Sequence, residues 1–363
     1  PDLKYRTPEE VRRKHAKVFA ALPARGFEPG IRNPCWFHNE SMEQKANARG
    51  HGRRPTHPRA EGDKVLSCLP YVYLLGQPKS GTSDLYERLV AHPDVVSPDR
   101  KEIRWFTRGE FTTERMPKAQ MLSEDTSLYS FTSAFDEAAV EIRYRYEHQM
   151  HPQAITVDGG PHTLWWPTQS PDGTLLPEEI PAPQIIREMQ PNAKFLITLS
   201  DPVNRMYSDY YFLDDSLKPK SPKEFHLRAE KQVRLLKFIR GSPDCVFTVL
   251  LILIMTGLRG CCGVGLYVTF IEKWLEHFSL NQFHVVRLED FHADPQGYMN
   301  GVLSFLDLRL DVDTTEMLTN KVHNKHRSSR PDMLPGTEKL LREFYQPYND
   351  LLAKLLKSEA FRW

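Results

Sequence analysis

Lys79, Ser80, Gly81, Thr82 and Ser83 stand in a row: an ammonium, three hydroxyls and a glycine, the set needed to hold a polyvalent anion. Backbone N–H groups left unpaired at a helix start would add to them, as would the helix dipole. A second set follows at a distance, with Asp201, Pro202, Arg205 and Ser208. Arg205 and Ser208 are three apart and share a helix face, where charge and hydroxyl suit a second phosphate. Two side chains could take a proton: Glu102, and His162, whose ordinary pKa suits transfer near neutrality. An anion cradle beside a base is equipment for moving an anionic group onto a hydroxyl.

These residues need elements to position them. Tyr71 to Leu75 is an apolar run that reads as a buried strand, Gly76 to Gly81 as a tight turn, and Leu85, Leu89 and Val90 recur at helical spacing after Thr82. A Walker A loop carries its lysine after the second glycine. Here Lys79 precedes Gly81 and Thr82 takes the lysine's place, which argues against an ATPase or GTPase.

Strand and helix patterns alternate from Lys64 onward, with further strands expected at Ala154 to Asp158, Lys194 to Ser200 and Phe283 to Leu288. Such alternation predicts an α/β fold with a central, mostly parallel sheet and helices on both faces. The candidate residues lie at the carboxyl ends of these strands, where such sheets bind ligands. Residues 1–64 read as a basic arm preceding or packed on a domain of residues 65–363. The net charge of +1 gives no reason to expect a nucleic-acid partner. Five cysteines show no zinc spacing, and the carboxylates form no cluster that implies a divalent metal. Val246 to Leu258 is apolar but, at 13 residues, short of the roughly 20 a membrane helix needs. The chain begins at Pro1 and reads as a fragment or a processed form, so any targeting or anchoring segment would lie upstream.

Pro78-Lys79-Ser80-Gly81-Thr82-Ser83 behind a strand resembles the 5′-phosphosulfate loop of the sulfotransferases, which use 3′-phosphoadenosine 5′-phosphosulfate (PAPS). Asp201-Pro202-x-x-Arg205-x-x-Ser208-x-Tyr210 resembles their 3′-phosphate motif, with Ser200 where an arginine is usual. Arg287 to Phe291 with Asp294-Pro295, and the basic stretch His326 to Pro331 before a terminal helix, resemble two later segments, so the likeness runs from about Leu69 to the C-terminus. Asn33 to Trp36, Cys68 to Pro70 and Trp105 to Arg108 extend it to the glycosaminoglycan branch that 6-O-sulfates N-acetylgalactosamine 4-sulfate. There are further departures. Ser80 replaces an expected cysteine, Lys101 to Arg104 replaces a K-E-P-H-like run, the apolar Val246 to Leu258 replaces a more polar segment, and Gly159 stands where related glycan enzymes tend to carry lysine.

The resemblance implies a P-loop-like sulfotransferase fold with PAPS as co-substrate. Lys79, Ser80, Gly81, Thr82, Ser83, Arg205, Ser208, Arg327 and Ser328 are then expected on the donor, with Lys79 and Glu102 catalytic. Arg104, Trp105, Arg108, His162 and Trp165 are expected on a sulfated glycosaminoglycan acceptor, since arginine forks suit sulfates and indoles suit sugar faces. Trp166, Arg143 and Arg145 are weaker acceptor candidates, the last two having charged neighbours. The resemblance further implies a type II protein of the Golgi lumen and admits a homodimer. Its alternatives are another glycan acceptor such as heparan sulfate, or a binding protein without activity.

Overall fold

The computed structural model describes residues 7–39, 64–106, 127–150, 153–165, 182–213, 220–238, 262–312 and 330–363. The apolar segment 246–258, together with Arg108, Trp166, Arg327 and Ser328, lies outside them. No helix among the described residues is long and apolar enough to cross a membrane.

A small antiparallel ribbon pairs Cys35–His38 (β1) with Val65–Cys68 (β2). Cys35 and Cys68 lie opposite one another and form a disulfide. The main sheet contains Val72–Gly76 (β3), Val95–Val96 (β4), Ile155–Asp158 (β5), Lys194–Leu199 (β6) and Phe283–Arg287 (β7), in the order β4-β5-β3-β6-β7. Every neighbouring pair is parallel. The four strands expected from the sequence fall within one residue of these positions. The two-residue β4, too short to show a pattern, and the ribbon were not anticipated.

Side chains alternate across β3 as a strand requires. Val72 and Leu74, with Leu196 of β6, face Leu85, Leu89, Met299, Val302 and Leu303. Tyr73 and Leu75, with Phe195 and Ile197, face the helices on the other side through Val203, Ile271, Trp274 and Tyr345. Phe195 is a hub there, its ring 5.1, 4.6 and 4.8 Å from those of Trp274, Phe278 and Phe283. Each fully buried side chain of this kind contributes roughly 1.5–3 kcal/mol, so both faces of the central strands are firmly held.

Because β3 is first in chain order yet central in the sheet, the connections leave it toward β4 and β5, then cross to β6 and β7 on its other side. The chain order reverses between β3 and β6, the place where sheets of this kind bind ligands beyond the strands' carboxyl ends. The residues after β3 and after β6 are those singled out for anion binding.

Candidate active site

The turn after β3 is strained in a useful way. Lys79, a non-glycine residue, has φ of 69°, and Gly81 has φ of 85°. Such left-handed residues persist where the surroundings hold them. Ser80 closes the turn, its N–H donating to Gln77 O at 3.0 Å. The loop is anchored to β6 by Gln77 N donating to Thr198 O (2.7 Å) and by Thr198 Oγ1 donating to Ser80 O (2.8 Å). The helix Thr82–Val90 starts from Gly81 with no side-chain cap, whereas Thr7 and Ser127 cap helices elsewhere with their hydroxyls. Its first N–H groups are therefore left for a ligand, and the dipole favours an anion. Lys79 Nζ lies 3.6 Å from the ring centroid of Phe212. Burial lowers the Lys79 pKa, Asp209 opposes that, and the charges of Arg330 and Arg205 add to the lowering. An anion would relieve this crowding of cations.

The helix after β6, Pro202–Leu213, is capped by Asp201, whose Oδ1 accepts from Val203 N at 2.9 Å. Asp201 is in turn fixed from two directions. Its N–H donates to Glu289 Oε1 (2.8 Å), and its Oδ2 accepts from Arg342 Nη2 (3.3 Å) of the C-terminal helix Pro335–Leu356. The Arg287–Phe291 segment thus ties the site together. Leu288 packs beneath Gly81 so closely that a Cβ on the glycine would stand 2.7 Å from Leu288 Cδ1. Phe291 lies 4.5 Å under the guanidinium of Arg88, which pairs with Asp84 at 2.8 Å.

The two candidate bases meet. His162 Nδ1 is 3.5 Å from Glu102 Oε2, and Arg104 Nη2 is 2.9 Å from the same oxygen. His162 sits on a turn after β5 that is pinned to β3, with Leu164 N donating to Leu75 O at 3.0 Å. Burial works against a charge on Glu102, but His162, Arg104 and Lys101 outweigh it and hold the carboxyl at about 2. Asp158, at the end of β5, moves the opposite way. Burial, with the charge of Glu102 behind it, pushes its carboxyl up to about 7. Asp158 is 4% exposed and its Oδ1 has no hydrogen-bond partner. The two carboxyl groups are thus shifted in opposite directions, a pattern that clusters at acid–base sites.

The sulfotransferase domain family matches residues 69–333, most of the chain. The chain belongs to the sulfotransferase family. Over its whole length it is 29% identical to carbohydrate sulfotransferase 15 of Mus musculus and of Homo sapiens, covering 69% of each. It is 26% identical over 312 residues to heparan sulfate glucosamine 3-O-sulfotransferase 3A1 of Homo sapiens, covering 79% of this chain and 61% of that one. A sulfotransferase structure from Alicyclobacillus acidocaldarius superposes with a TM-score of 0.50 at 22% identity, over 82% of this chain and 100% of that one. That likeness concerns the fold, and the expected P-loop-like α/β architecture is the one observed.

Within this sulfotransferase, the departures at Ser80 and Ser200 are partners. Their hydroxyls lie 2.9 Å apart, 120 residues separated in sequence and both buried. Ser80 therefore braces the loop against β6, leaving Gly81, Thr82 and Ser83 at the helix start. Arg205 is 1% exposed with Nη1 3.3 Å from Asp209 Oδ2, while Ser208 on the same helix is half-buried.

Two acceptor expectations need correction. Trp105 is 1% exposed, donates its indole N–H to Ser130 Oγ (3.0 Å) and packs on Phe106 and Phe131, so it presents no face to a sugar. Trp165 is 5% exposed, with its ring centroid 6.1 Å from that of His162, and supports the histidine from within. Arg143 and Arg145 are engaged with Glu147 (2.7 Å) and Glu141 (2.6 Å) on their own helix, as their charged neighbours suggested. Arg104 and His162 remain on the open side, each half-buried. Sequence reasoning missed Asp158 as a site residue, although its place at the carboxyl end of a strand was a signal. It also missed Lys101, whose Nζ donates to Ser83 Oγ at 3.0 Å. Among the described residues no group of three or more His, Cys, Asp or Glu could hold a metal ion.

Proposed function

We propose that this chain is a PAPS-dependent carbohydrate sulfotransferase that sulfates the 6-hydroxyl of N-acetylgalactosamine 4-sulfate in chondroitin or dermatan sulfate. The observation that carries the reading is the ionised Glu102, held by His162 and Arg104, with its neighbour Lys101 touching the donor helix at Ser83. Whole-chain similarity to carbohydrate sulfotransferase 15 supports a carbohydrate acceptor.

The residues fit the donor. The uncapped helix start and Lys79 offer N–H groups and charge to its phosphosulfate, at the β3/β6 reversal where sheets of this kind take nucleotides. In the reaction, the acceptor hydroxyl oxygen forms a bond to sulfur as the bond from sulfur to the 5′-phosphate oxygen breaks in line, its electron pair leaving with the phosphate. Glu102 takes the hydroxyl proton. A carboxylate held at about 2 is ionised throughout the neutral range, so it accepts the proton late, once bond formation has made the hydroxyl more acidic. Lys79 and the Gly81–Ser83 backbone stabilise charge on the sulfonate and on the leaving phosphate. Arg104, whose Nε and Nη2 hold Glu102, sets its positive charge beside the acceptor's 4-sulfate. The Cys35–Cys68 disulfide fits a lumenal, oxidising compartment such as the Golgi.

The test is transfer of radiolabelled sulfate from PAPS to chondroitin, dermatan and heparan chains, followed by disaccharide analysis. Label is expected in N-acetylgalactosamine carrying sulfate at both positions 4 and 6. Label confined to glucosamine-containing disaccharides would replace this acceptor with heparan sulfate, and absence of transfer to any chain would overturn the enzyme reading.

A further inference from the structure

Lys101 and Glu102 are adjacent in sequence, yet their side chains part. Glu102 turns to Arg104 and His162, while Lys101 Nζ donates to Ser83 Oγ at 3.0 Å and stands 5.1 Å from the ring centroid of Tyr86. Position 159 leaves room for it. A Cβ on Gly159 would stand 3.1 Å from Lys101 Cε and 2.8 Å from Tyr86 Cδ2, so any side chain there would dislodge the lysine, the ring or both. The seat is thus built from three separate parts of the chain: the donor helix, the strand-end turn after β5, and the segment carrying the base.

The chemistry of the contact fixes a proton. An ammonium has donors and no acceptor, so the Ser83 oxygen must accept from Lys101. Ser83's own hydroxyl hydrogen is then free to donate elsewhere. Ser83 is the second residue of the uncapped helix, where the N–H groups of the first turn point at an anion. Burial lowers the Lys101 pKa and the charges of Glu102 and Glu87 oppose it.

We propose that Lys101 is a positioning residue of the donor cradle: it locks Ser83 as a hydroxyl donor toward the bound phosphosulfate and places a second cation, besides Lys79, behind it. Gly159 is the residue that makes the seat. The inference rests on the donor-binding reading above and adds a role for a lysine that points away from the base.

A double-mutant cycle tests it, with adenosine 3′,5′-bisphosphate as the probe in calorimetry. Lys101→Met and Ser83→Ala are each expected to weaken binding about tenfold, the range for a hydrogen bond involving a charged group. The double variant is expected to bind no more weakly than the weaker single, because both changes remove one arrangement. Gly159→Ala should weaken binding in the native background and add little in Lys101→Met. Thermal unfolding checks each variant, and a merely structural role would lower the midpoint while leaving the two binding losses additive. Additive losses, or a folded Lys101→Met that binds within twofold of the native chain, would overturn the proposal. Failure of the native chain to bind the bisphosphate would instead remove the donor reading, and this inference with it.

Discussion

On the donor side of the site, Gly81 lies on Leu288, Asp201 on Glu289, and Ser80 on Ser200. Each contact joins residues about 90 or more positions apart and is at least partly buried. On the acceptor side, Glu102, Arg104 and His162 meet as half-buried side chains on irregular backbone, held mainly by charge. The proposed donor side is built of backbone placed by packing; the proposed acceptor side is built of side chains held by charge.

The comparison breaks most sharply at Glu102. Glu102→Gln keeps size and shape but cannot accept the proton, so transfer should fall by about 10³-fold, within the range for general base catalysis. Bisphosphate affinity should stay within twofold, because no donor-side contact changes. A variant with full transfer activity would remove Glu102 from the mechanism.

Gly81→Ala attacks the other side. The new methyl meets Leu288 Cδ1 at 2.7 Å in a backbone with φ of 85°. Left-handed strain costs roughly 1–2 kcal/mol and overpacking roughly 1–3. Binding of the bisphosphate should weaken about 10²-fold, and trimming Leu288 to alanine in the same chain should recover only the steric part. Undiminished affinity in Gly81→Ala would mean that the cradle is not braced in this way.

The same contrast explains what the sequence could disclose. The strands and the donor loop were legible because burial imposes apolar runs on β3, β5 and β6, and because the strained turn demands its glycine. Asp201 and Pro202 announced the second helix start, and the cap is the one observed. The acceptor wall was legible only as residue types. Trp105 has the side chain of a sugar platform but is spent on the core, since nothing local distinguishes an indole facing in from one facing out. The pairings of Lys101 with Ser83 and of Ser80 with Ser200 depend on how separate elements dock, and no spacing encodes that.

Asp158 sharpens the comparison through pH. Its carboxyl at about 7 means that the folded chain keeps a proton which the unfolded chain loses near pH 4. Its contribution to stability is therefore full at low pH, declines as pH rises from about 4 to 7, and is gone above that. Glu102, held at about 2, has the opposite sign: its contribution is present above about pH 4.5 and is lost as pH falls toward 2. Between pH 5 and 8 Asp158 alone should cost roughly 2–3 kcal/mol, at 1.36 kcal/mol per pKa unit. Asp158→Asn should flatten the fall in unfolding midpoint over that range by about 3 °C. An unchanged slope would show that Asp158 is not the group that titrates.

The smallest effect separates two arginines that the sequence could not tell apart. Arg104 shares Glu102 with His162, whereas Arg143 is bound to Glu147 and donates to Lys64 O (2.8 Å) beside the β1/β2 ribbon. If the acceptor's sulfate sits beside the Arg104 charge, Arg104→Ala should raise the KM for a sulfated acceptor about tenfold, the worth of one half-exposed charged contact of about 1.4 kcal/mol. Removing a neighbouring cation also lets the Glu102 pKa rise, which makes it a stronger base. The loss should therefore appear in KM, with kcat held or slightly increased. Arg143→Ala should leave both constants within twofold. Steady-state kinetics with an acceptor bearing sulfate and one lacking it make the distinction: Arg104→Ala should narrow the preference between them, and an unchanged preference would take Arg104 out of acceptor recognition.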